Sequence, residues 1–271
     1  MQDRYAGDVG DFAKFGLLRA LLAGPGRRPG VAWYYVPPGE DQPPGNDGRH
    51  TDYLARPDFR RCDPDLHETL GKVVASGTRE VAALGLHELL GPAAIGFAEP
   101  LPGRELHFRT RASTRKDWLQ RADATLRGCD GVFLDPDNGI ASRKVGLGDI
   151  DACKFAFLDE VALIAKDRLC VVYHHLCRQG THVEQIHARA AELAMHTRRN
   201  PSLVTALRWR PYSPRAFFIL ATPSSGDRVK HDVIAFLAAG WGAFFENIDW
   251  RASPRPRSAV PLVMPTTVLR P

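Results

Sequence analysis

Short apolar runs alternate with amphipathic stretches along most of this chain, and several of the apolar runs lead directly into turn or polar residues. The clearest run is Val132-Phe133-Leu134, which stands between Gly131 and the sequence Asp135-Pro136-Asp137-Asn138-Gly139. An apolar run between turn residues predicts a buried strand. The same reasoning predicts strands at 31–36, 169–173, 203–209, 215–221 and 243–248, with weaker candidates at 94–97 and 105–108.

Apolar residues that recur at intervals of three and four predict the helices. The first predicted helix carries one apolar stripe, made of Phe12, Phe15, Leu18 and Leu22. Either Asp8 or Asp11 can cap the N-terminus of this helix, and Ser113 can cap the helix predicted over 114–126. Further helices are predicted over 65–75, 78–90, 150–166, 181–195 and 227–239.

The alternation of strands and helices indicates an α/β fold with a mostly parallel sheet. The runs 203–209 and 215–221 are separated only by Arg210-Pro-Tyr-Ser-Pro214, which favours an antiparallel pair. We therefore predict a three-layer αβα sandwich with a Rossmann-like sheet and an antiparallel strand near its C-terminal end. One domain is predicted over 1–250, followed by an extended tail over 251–271 that is rich in proline and arginine.

The abrupt change from apolar to polar residues after the strand at 132–134 predicts a site. In open α/β sheets, ligands bind in the crevice beyond the carboxyl ends of the strands. The carboxylates of Asp135 and Asp137 and the amide of Asn138 stand together at this point and are costly to bury without partners. A solvated or ligand-filled cleft is therefore favoured over a plain Asp-Asn-Gly turn, which is the alternative.

Two other stretches carry groups that such a cleft would use. The strand at 169–173 runs into His174 and His175, which can bind a metal or transfer protons near neutral pH. The alternative for this pair is one core histidine and one exposed histidine. Lys14 follows the two aspartates of the first helix, and its alternative is an ordinary solvated lysine.

A polar loop follows the predicted strand at 31–36 and extends to His50. It is too rich in proline, glycine and acidic residues to form a helix or a strand. Long loops at the carboxyl ends of parallel strands often carry function, and the alternative is a mobile surface loop. The candidate reactive groups of this loop are Glu40, Asp41, Asp47, Arg49 and His50.

Composition narrows the class of protein. Of 271 residues, 44% are apolar and 25% are charged, as in ordinary globular proteins. The chain has no apolar run of the roughly 18 residues needed to span a bilayer, and it lacks the pattern of a secretory signal. Five cysteines without Cys-x-x-Cys spacing fit reduced thiols and argue against a structural zinc site. We therefore expect a cytoplasmic protein without membrane association.

The charge balance bears on the partner. The formal net charge is +5, and much of the basic side is arginine, whose planar fork suits phosphate groups and base edges. This balance favours a nucleic-acid partner, without distinguishing DNA from RNA. The oligomeric state is not predicted.

Three short patches of the chain match motifs of one known family. Ala6-Gly-Asp-x-x-Asp11-x-x-Lys14 is similar to an N-terminal Ala-Gly-Asn-x-x-Asp-x-x-Lys motif, and Thr51-Asp-Tyr-Leu54 is similar to Thr-Gly-x-Tyr-Leu. Leu134-Asp-Pro136 falls where a catalytic Asp-Pro-Pro-Tyr motif falls. Through these patches the chain resembles the bacterial large-subunit ribosomal RNA adenine-N6 methyltransferases. The correspondence spans residues 5 to 240, but only these short patches carry it. The resemblance implies a class I methyltransferase fold, S-adenosylmethionine as cofactor and a base amine as target.

Two positions depart from that family's pattern. Where the family has Gly-x-Gly after its first strand, this chain has Pro37-Pro-Gly39 followed by acidic residues. Where the family has a second proline and an aromatic residue, this chain has Asp137-Asn138. Aspartate and asparagine stack poorly on a base and offer oxygen ligands instead.

The first hypothesis is methyl transfer from S-adenosylmethionine to a base amine. The resemblance implies that Asp135 accepts a hydrogen bond from the amine and that the carbonyl of Pro136 holds its other proton. Lys14 would lie by the cofactor or the target, so that positioning supplies most of the catalysis. The candidate cofactor-binding residues are Asp8, Asp11, Gly39, Asp41, Asp47 and His50.

The second hypothesis is phosphodiester hydrolysis by a divalent-metal-dependent nuclease. Asp135 and Asp137, supported by Asn138, offer the oxygen ligands that Mg²⁺ or Mn²⁺ prefers. His174 or His175 would act as a general base or acid, and Lys14 would neutralise charge in the transition state. A third hypothesis is a non-catalytic nucleic-acid-binding protein that kept the fold and lost the cofactor.

Overall fold

The computed structural model describes residues 1–37, 48–103 and 105–252. Its centre is a seven-stranded sheet in the order β2-β1-β3-β6-β8-β7-β9. The strands of this sheet are β1 (Pro29–Ala32), β2 (Ile95–Phe97), β3 (Gly131–Leu134), β6 (Leu169–His175), β7 (Val204–Trp209), β8 (Arg215–Leu220) and β9 (Phe245–Ile248). Two shorter strands, β4 (Gly139–Ile140) and β5 (Phe155–Ala156), pair with each other beside it.

The direction of the strands confirms the predicted fold class. β2, β1, β3 and β6 are parallel neighbours, whereas β8 runs antiparallel to both of its neighbours, β6 and β7. The edge strand β9 also runs antiparallel to β7. The sheet is therefore mostly parallel and reverses near the C-terminal end of the chain, as the residues 203–221 predict.

Helices cover both faces of the sheet. They are α1 (Val9–Leu21), α2 (Pro57–Arg60), α3 (Pro64–Ala75), α4 (Leu86–Leu90), α5 (Phe108–Leu126), α6 (Leu158–Ala165), α7 (His182–His196) and α8 (Gly226–Ala238). Alternate strand residues enter opposite cores because successive side chains of a strand point to opposite faces. Phe133 packs in the core beneath α1, α3 and α8, and its neighbours Val132 and Leu134 pack in the core beneath α5, α6 and α7.

The first helix is placed by its cap. The side chain of Asp8 accepts hydrogen bonds from the backbone N–H groups of Gly10 and Asp11, so Asp8 is the N-cap and Asp11 is not. The predicted stripe of Phe12, Phe15 and Leu18 is buried. This cap sets the start of α1, directly after Asp8.

Two predictions in the first half of the chain are wrong. The first strand covers Pro29–Ala32 rather than 31–36, and the positive φ of Tyr34 (42°) turns the chain out of the sheet. Trp33 and Tyr34 remain buried without being strand residues, which explains the apolar signal. The helix predicted over 78–90 is a 3-10 turn at Val81–Ala83 followed by α4, and the first turn of α4 closes on the carbonyl of Gly85.

Two predictions in the second half also need correction. The helix α5 begins at Phe108, so 105–108 is not a strand; Ser113 lies inside the helix and donates to the carbonyl of Thr110 instead of capping it. The predicted helix over 150–166 is a 3-10 turn and β5, and α6 begins only at Leu158. The predicted tail lies mostly outside the described residues. Within the described ranges, no helix is both long and apolar enough to cross a membrane.

Candidate functional site

A polar cleft of about 350 Å³ opens at the carboxyl ends of β3 and β6. Its walls come from the N-terminal segment, from α1, from the residues that follow β3, and from the start of β8. β8 contributes because it runs against β6, which brings its first residue, Arg215, opposite the last residue of β6, His175. The position agrees with the general rule for ligand sites in open α/β sheets.

Lys14 and Asp135 form a buried ion pair in this cleft. The Nζ atom of Lys14 lies 2.8 Å from Oδ2 of Asp135 and 3.2 Å from Oδ1 of Asp11. Only 5% of Lys14 and 1% of Asp135 is exposed. Burial alone lowers the pKa of Lys14, but Asp135 and Asp11 outweigh it and raise that pKa. Lys14 is therefore a buried cation and not a solvated surface lysine.

Asp11 supports this pair from below and does not line the cleft. It is fully buried and accepts a hydrogen bond of 2.9 Å from the backbone N–H of Gly7. Burial raises the pKa of Asp11, the Lys14 ammonium lowers it, and the result is a pKa of about 6. Asp11, Lys14 and Asp135 thus form one coupled network of charges.

Met1 fills the crevice between the ends of β1 and β3. Its ammonium group donates to the carbonyl of Tyr34 (3.0 Å) and to the carbonyl of Asp135 (3.2 Å). Its own carbonyl accepts from the N–H of Val36, and its sulfur lies 3.6 Å from the Nζ atom of Lys14. The strand order reverses at this crevice, because β2 lies on one side of β1 and β3 on the other. Because Met1 occupies the crevice between β1 and β3, the open cleft lies one strand further along the sheet, at the ends of β3 and β6.

The residues after β3 turn sharply along the rim of the cleft. Asp137 is half-buried and accepts a hydrogen bond of 2.7 Å from the amide of Gln2, while Asn138 is exposed. Gly139 adopts a φ of 92°, and a Cβ atom there would lie 2.4 Å from Nδ1 of His174. Only glycine fits this turn without strain, and the turn is what presents Asp137 and Asn138 to the cleft.

The two adjacent histidines have different environments. Nδ1 of His174 accepts the backbone N–H of Ile140 (3.0 Å), and burial lowers the pKa of His174 to about 3. His174 is thus a neutral residue that lines a neighbouring cavity and not the cleft. His175 is exposed at the rim, with its Nδ1 atom 3.4 Å from the hydroxyl of Tyr173. This is the arrangement of one core histidine and one exposed histidine.

Tyr173 and Arg215 line the cleft, although no sequence motif marks them as site residues. The ring of Tyr173 lies 5.5 Å from Nζ of Lys14 and 6.0 Å from Cζ of Arg215. Burial raises the pKa of Tyr173 despite these cations, so its hydroxyl is neutral. Arg215 is 7% exposed. The signal for both was the antiparallel pairing of β6 and β8, but the register of that pairing is not evident from composition or spacing.

The remaining candidates divide into two groups. Asp8 and His50 line the cleft, with the carboxylate of Asp8 already bonded to α1 and the ring of His50 lying 4.8 Å from that of Tyr212. Gly39, Asp41 and Asp47, together with Glu40, lie outside the described residues. Across residues 1–37, 48–103 and 105–252, no group of three or more His, Cys, Asp or Glu side chains is arranged to hold a metal ion.

Comparisons with known proteins do not assign this chain to a family. No family model, no curated protein and no solved structure matches this chain. The resemblance to ribosomal RNA adenine-N6 methyltransferases rests on the three sequence patches and stays a prediction.

Proposed function

We propose that this chain binds nucleic acid and holds the exocyclic amine of one base in the cleft, as a base-amine methyltransferase holds its target. The observation that carries this proposal is the position of Asp135. Its carboxylate lies at the carboxyl end of β3, on the wall of an open cleft, and it forms an ion pair with the buried ammonium of Lys14. A fixed carboxylate is a strong acceptor for an amine N–H group.

The ion pair leaves one acceptor for a ligand. Oδ2 of Asp135 is bonded to Lys14, and Oδ1 forms no hydrogen bond within the described part of the chain. Lys14 also restrains the carboxylate, so that the acceptor does not have to be ordered when the ligand binds. Positioning of this kind is the main contribution a protein makes when it aims an amine lone pair at an electrophile.

The size and charge of the site favour one nucleotide of a single strand. The cleft has a volume of about 350 Å³, which admits a nucleobase with its sugar but not a duplex. The chain carries 36 basic against 31 acidic residues, which favours a polyanionic partner. A base in a duplex would have to be flipped out, at a cost of a few kcal/mol.

S-adenosylmethionine is the methyl donor that the resemblance implies. The described residues do not fit it in the crevice between the first and third strands, because Met1 occupies that crevice. The segment that follows the first strand, 38–47, lies outside the described residues. The proposal therefore concerns recognition of the target amine by this chain's own residues.

Base recognition is tested with short single-stranded oligonucleotides. Adenine and cytosine carry an exocyclic amine and uracil does not, so oligo(A) and oligo(C) should bind more tightly than oligo(U) in a fluorescence anisotropy titration. Asp135→Asn should weaken binding of oligo(A) by about tenfold, since a hydrogen bond to a charged group contributes roughly 1.5–3 kcal/mol. Asp130→Asn, at the opposite end of β3, is the matched control. Equal binding of oligo(A) and oligo(U) would contradict the proposal.

The reaction is tested separately. Transfer of labelled methyl groups from S-adenosylmethionine to oligo(A), lost in Asp135→Asn, would extend the proposal to methyl transfer. Mn²⁺-dependent cleavage of the oligonucleotide would replace it by the nuclease alternative. No observation in the cleft favours that alternative specifically, since Lys14 already holds the position beside Asp135 and Asp11 that a cation would take. Base-selective binding without either reaction would indicate a non-catalytic nucleic-acid-binding protein.

A further inference from the structure

Arg215 is a buried cation without a bonding partner among the described residues. Its guanidinium group forms no hydrogen bond and no ion pair with the described residues, and its Nε atom is buried and unsatisfied. Other charged groups around the cleft are bonded, Lys14 to two carboxylates and Asp8 to the N-terminus of α1. An unpaired buried charge is costly, and buried polar groups almost always have partners. The missing partner of Arg215 therefore points to a ligand.

The fold makes room for this guanidinium. Gly10 lies in the first turn of α1, and a Cβ atom at Gly10 would lie only 1.8 Å from Nη1 of Arg215. On another side, the ring of Tyr173 lies 6.0 Å from Cζ of Arg215. The side chain is thus confined between α1 and β6 and lines the open cleft.

The surrounding charges limit what the ligand can be. Burial lowers the pKa of Arg215, but Tyr173, Asp8, Asp11 and Asp135 outweigh burial and raise that pKa. None of the three carboxylates forms an ion pair with Arg215. A dianion would be repelled by these carboxylates more strongly than a monoanion. The site therefore suits an oxyanion with a single negative charge.

We propose that Arg215 binds a phosphodiester group of the nucleic-acid strand whose base is held at Asp135. A phosphodiester carries one negative charge and two free oxygens, which the planar fork of a guanidinium matches in a bidentate manner. The identity of the ligand as nucleic acid rests on the proposed function, whereas the binding of an oxyanion by Arg215 does not. A carboxylate, such as that of the methionine end of S-adenosylmethionine, has the same fork-matching chemistry and is the competing source.

The test compares ligands that differ only in charge. Isothermal titration calorimetry at low salt is performed on the full chain with adenylyl-3′,5′-adenosine and with its methylphosphonate analogue, which has the same shape and no charge. We expect wild type to bind the charged dinucleotide at least tenfold more tightly. Arg215→Met should reduce its affinity to that of the neutral analogue, and Arg215→Lys should give an intermediate value because the charge remains and the fork is lost. Arg60→Met, which removes an exposed arginine outside the cleft, should leave the preference unchanged.

A second pair of ligands separates the two sources of an oxyanion. S-adenosylhomocysteine carries a carboxylate that methylthioadenosine lacks. If Arg215→Met abolishes a preference between these two and leaves the dinucleotides unaffected, Arg215 binds a carboxylate and the phosphodiester proposal is overturned. It is equally overturned if wild type binds both dinucleotides alike or binds neither at millimolar concentration. Circular dichroism melting curves establish that each variant is folded.

The phosphodiester site at Arg215 and the recognition of an amine at Asp135 can fail independently of each other. If the charge preference depends on Arg215 but uridylyl-3′,5′-uridine binds as well as the adenine dinucleotide, amine recognition fails and the phosphodiester site stands. If the base preference depends on Asp135 but the charge of the dinucleotide has no effect on binding, the phosphodiester site fails and amine recognition stands.

Discussion

At the scale of single residues, Lys14 joins two buried carboxylates, and its charge is what makes their burial tolerable. We expect Lys14→Met to lower the free energy of unfolding by about 3–5 kcal/mol, because breaking a buried pair leaves an uncompensated charge. Urea unfolding at pH 7 measures this effect. The double variant Lys14→Met/Asp135→Asn should lose less than the sum of the two single variants. A loss below about 1 kcal/mol for Lys14→Met would show that the network is not coupled as described.

His174 should make the protein sensitive to acid. Burial lowers its pKa from 6.5 to about 3, so the folded state binds fewer protons than the unfolded state between these values. Its contribution to stability is therefore complete above pH 6.5 and is lost as the pH falls toward 3, by up to about 1.4 kcal/mol per pH unit. His174→Asn, whose side-chain oxygen can accept the N–H of Ile140, should flatten this dependence between pH 7 and pH 5 in urea unfolding. An unchanged slope would assign the acid sensitivity to other groups.

Arg215 gives a contrasting prediction. Because its guanidinium has no bonding partner among the described residues, Arg215→Met should leave the free energy of unfolding unchanged or raise it by up to about 2 kcal/mol. Residues that serve ligands are often retained at the expense of stability. Urea unfolding of the ligand-free protein decides the matter. A clear loss of stability would mean that Arg215 has a structural role that its contacts do not reveal.

At the scale of elements, the N-terminus of α1 is shaped around Arg215. Alanine is normally preferred over glycine in a helix by about 1 kcal/mol, so Gly10→Ala should not unfold the protein. Its new methyl group would lie 1.8 Å from Nη1 of Arg215 and 2.8 Å from Oδ1 of Asp8, so the guanidinium must move. We therefore expect the preference for a charged dinucleotide to be lost. Gly71→Ala in α3 is the matched control, because the nearest atom to its Cβ would be a Leu54 methyl at 3.7 Å. Retained charge preference in Gly10→Ala would contradict the placement of Arg215.

The elements were predictable where one local signal decides them. Val132, Phe133 and Leu134 form β3 as expected, and Asp8 caps α1. The prediction failed where tertiary contacts override such signals. Trp33 and Tyr34, which follow Ala32, are buried, but Met1 inserts there and the chain leaves the sheet. Val81, Leu89 and Leu90 are likewise buried although they lie in a 3-10 turn and a short helix, because burial does not require a continuous helix.

At the scale of the whole molecule, the alternation of strands and helices along the sequence predicts the class of fold. It does not predict which side chains meet at the end of each strand. The sequence placed Lys14, Asp135 and His175 at one edge of the sheet, and the structure brings them into one cleft. Arg215 could not be predicted, because its role depends on β8 being inserted in reverse between β6 and β7. The position of the cleft, nearer to β6, could not be predicted either, because it depends on where Met1 packs.

The alternation of side chains in β6 has a consequence for the cleft. Tyr173 and His175 lie two positions apart and line the cleft, while His174 between them packs toward the opposite core. If β6 slipped by a single residue against β3, the exposed imidazole would be driven into the interior and the interior one would surface in its place. The side chains that this rim presents therefore depend on the register of β6. The same sequence, paired one residue earlier, would expose different groups to the cleft.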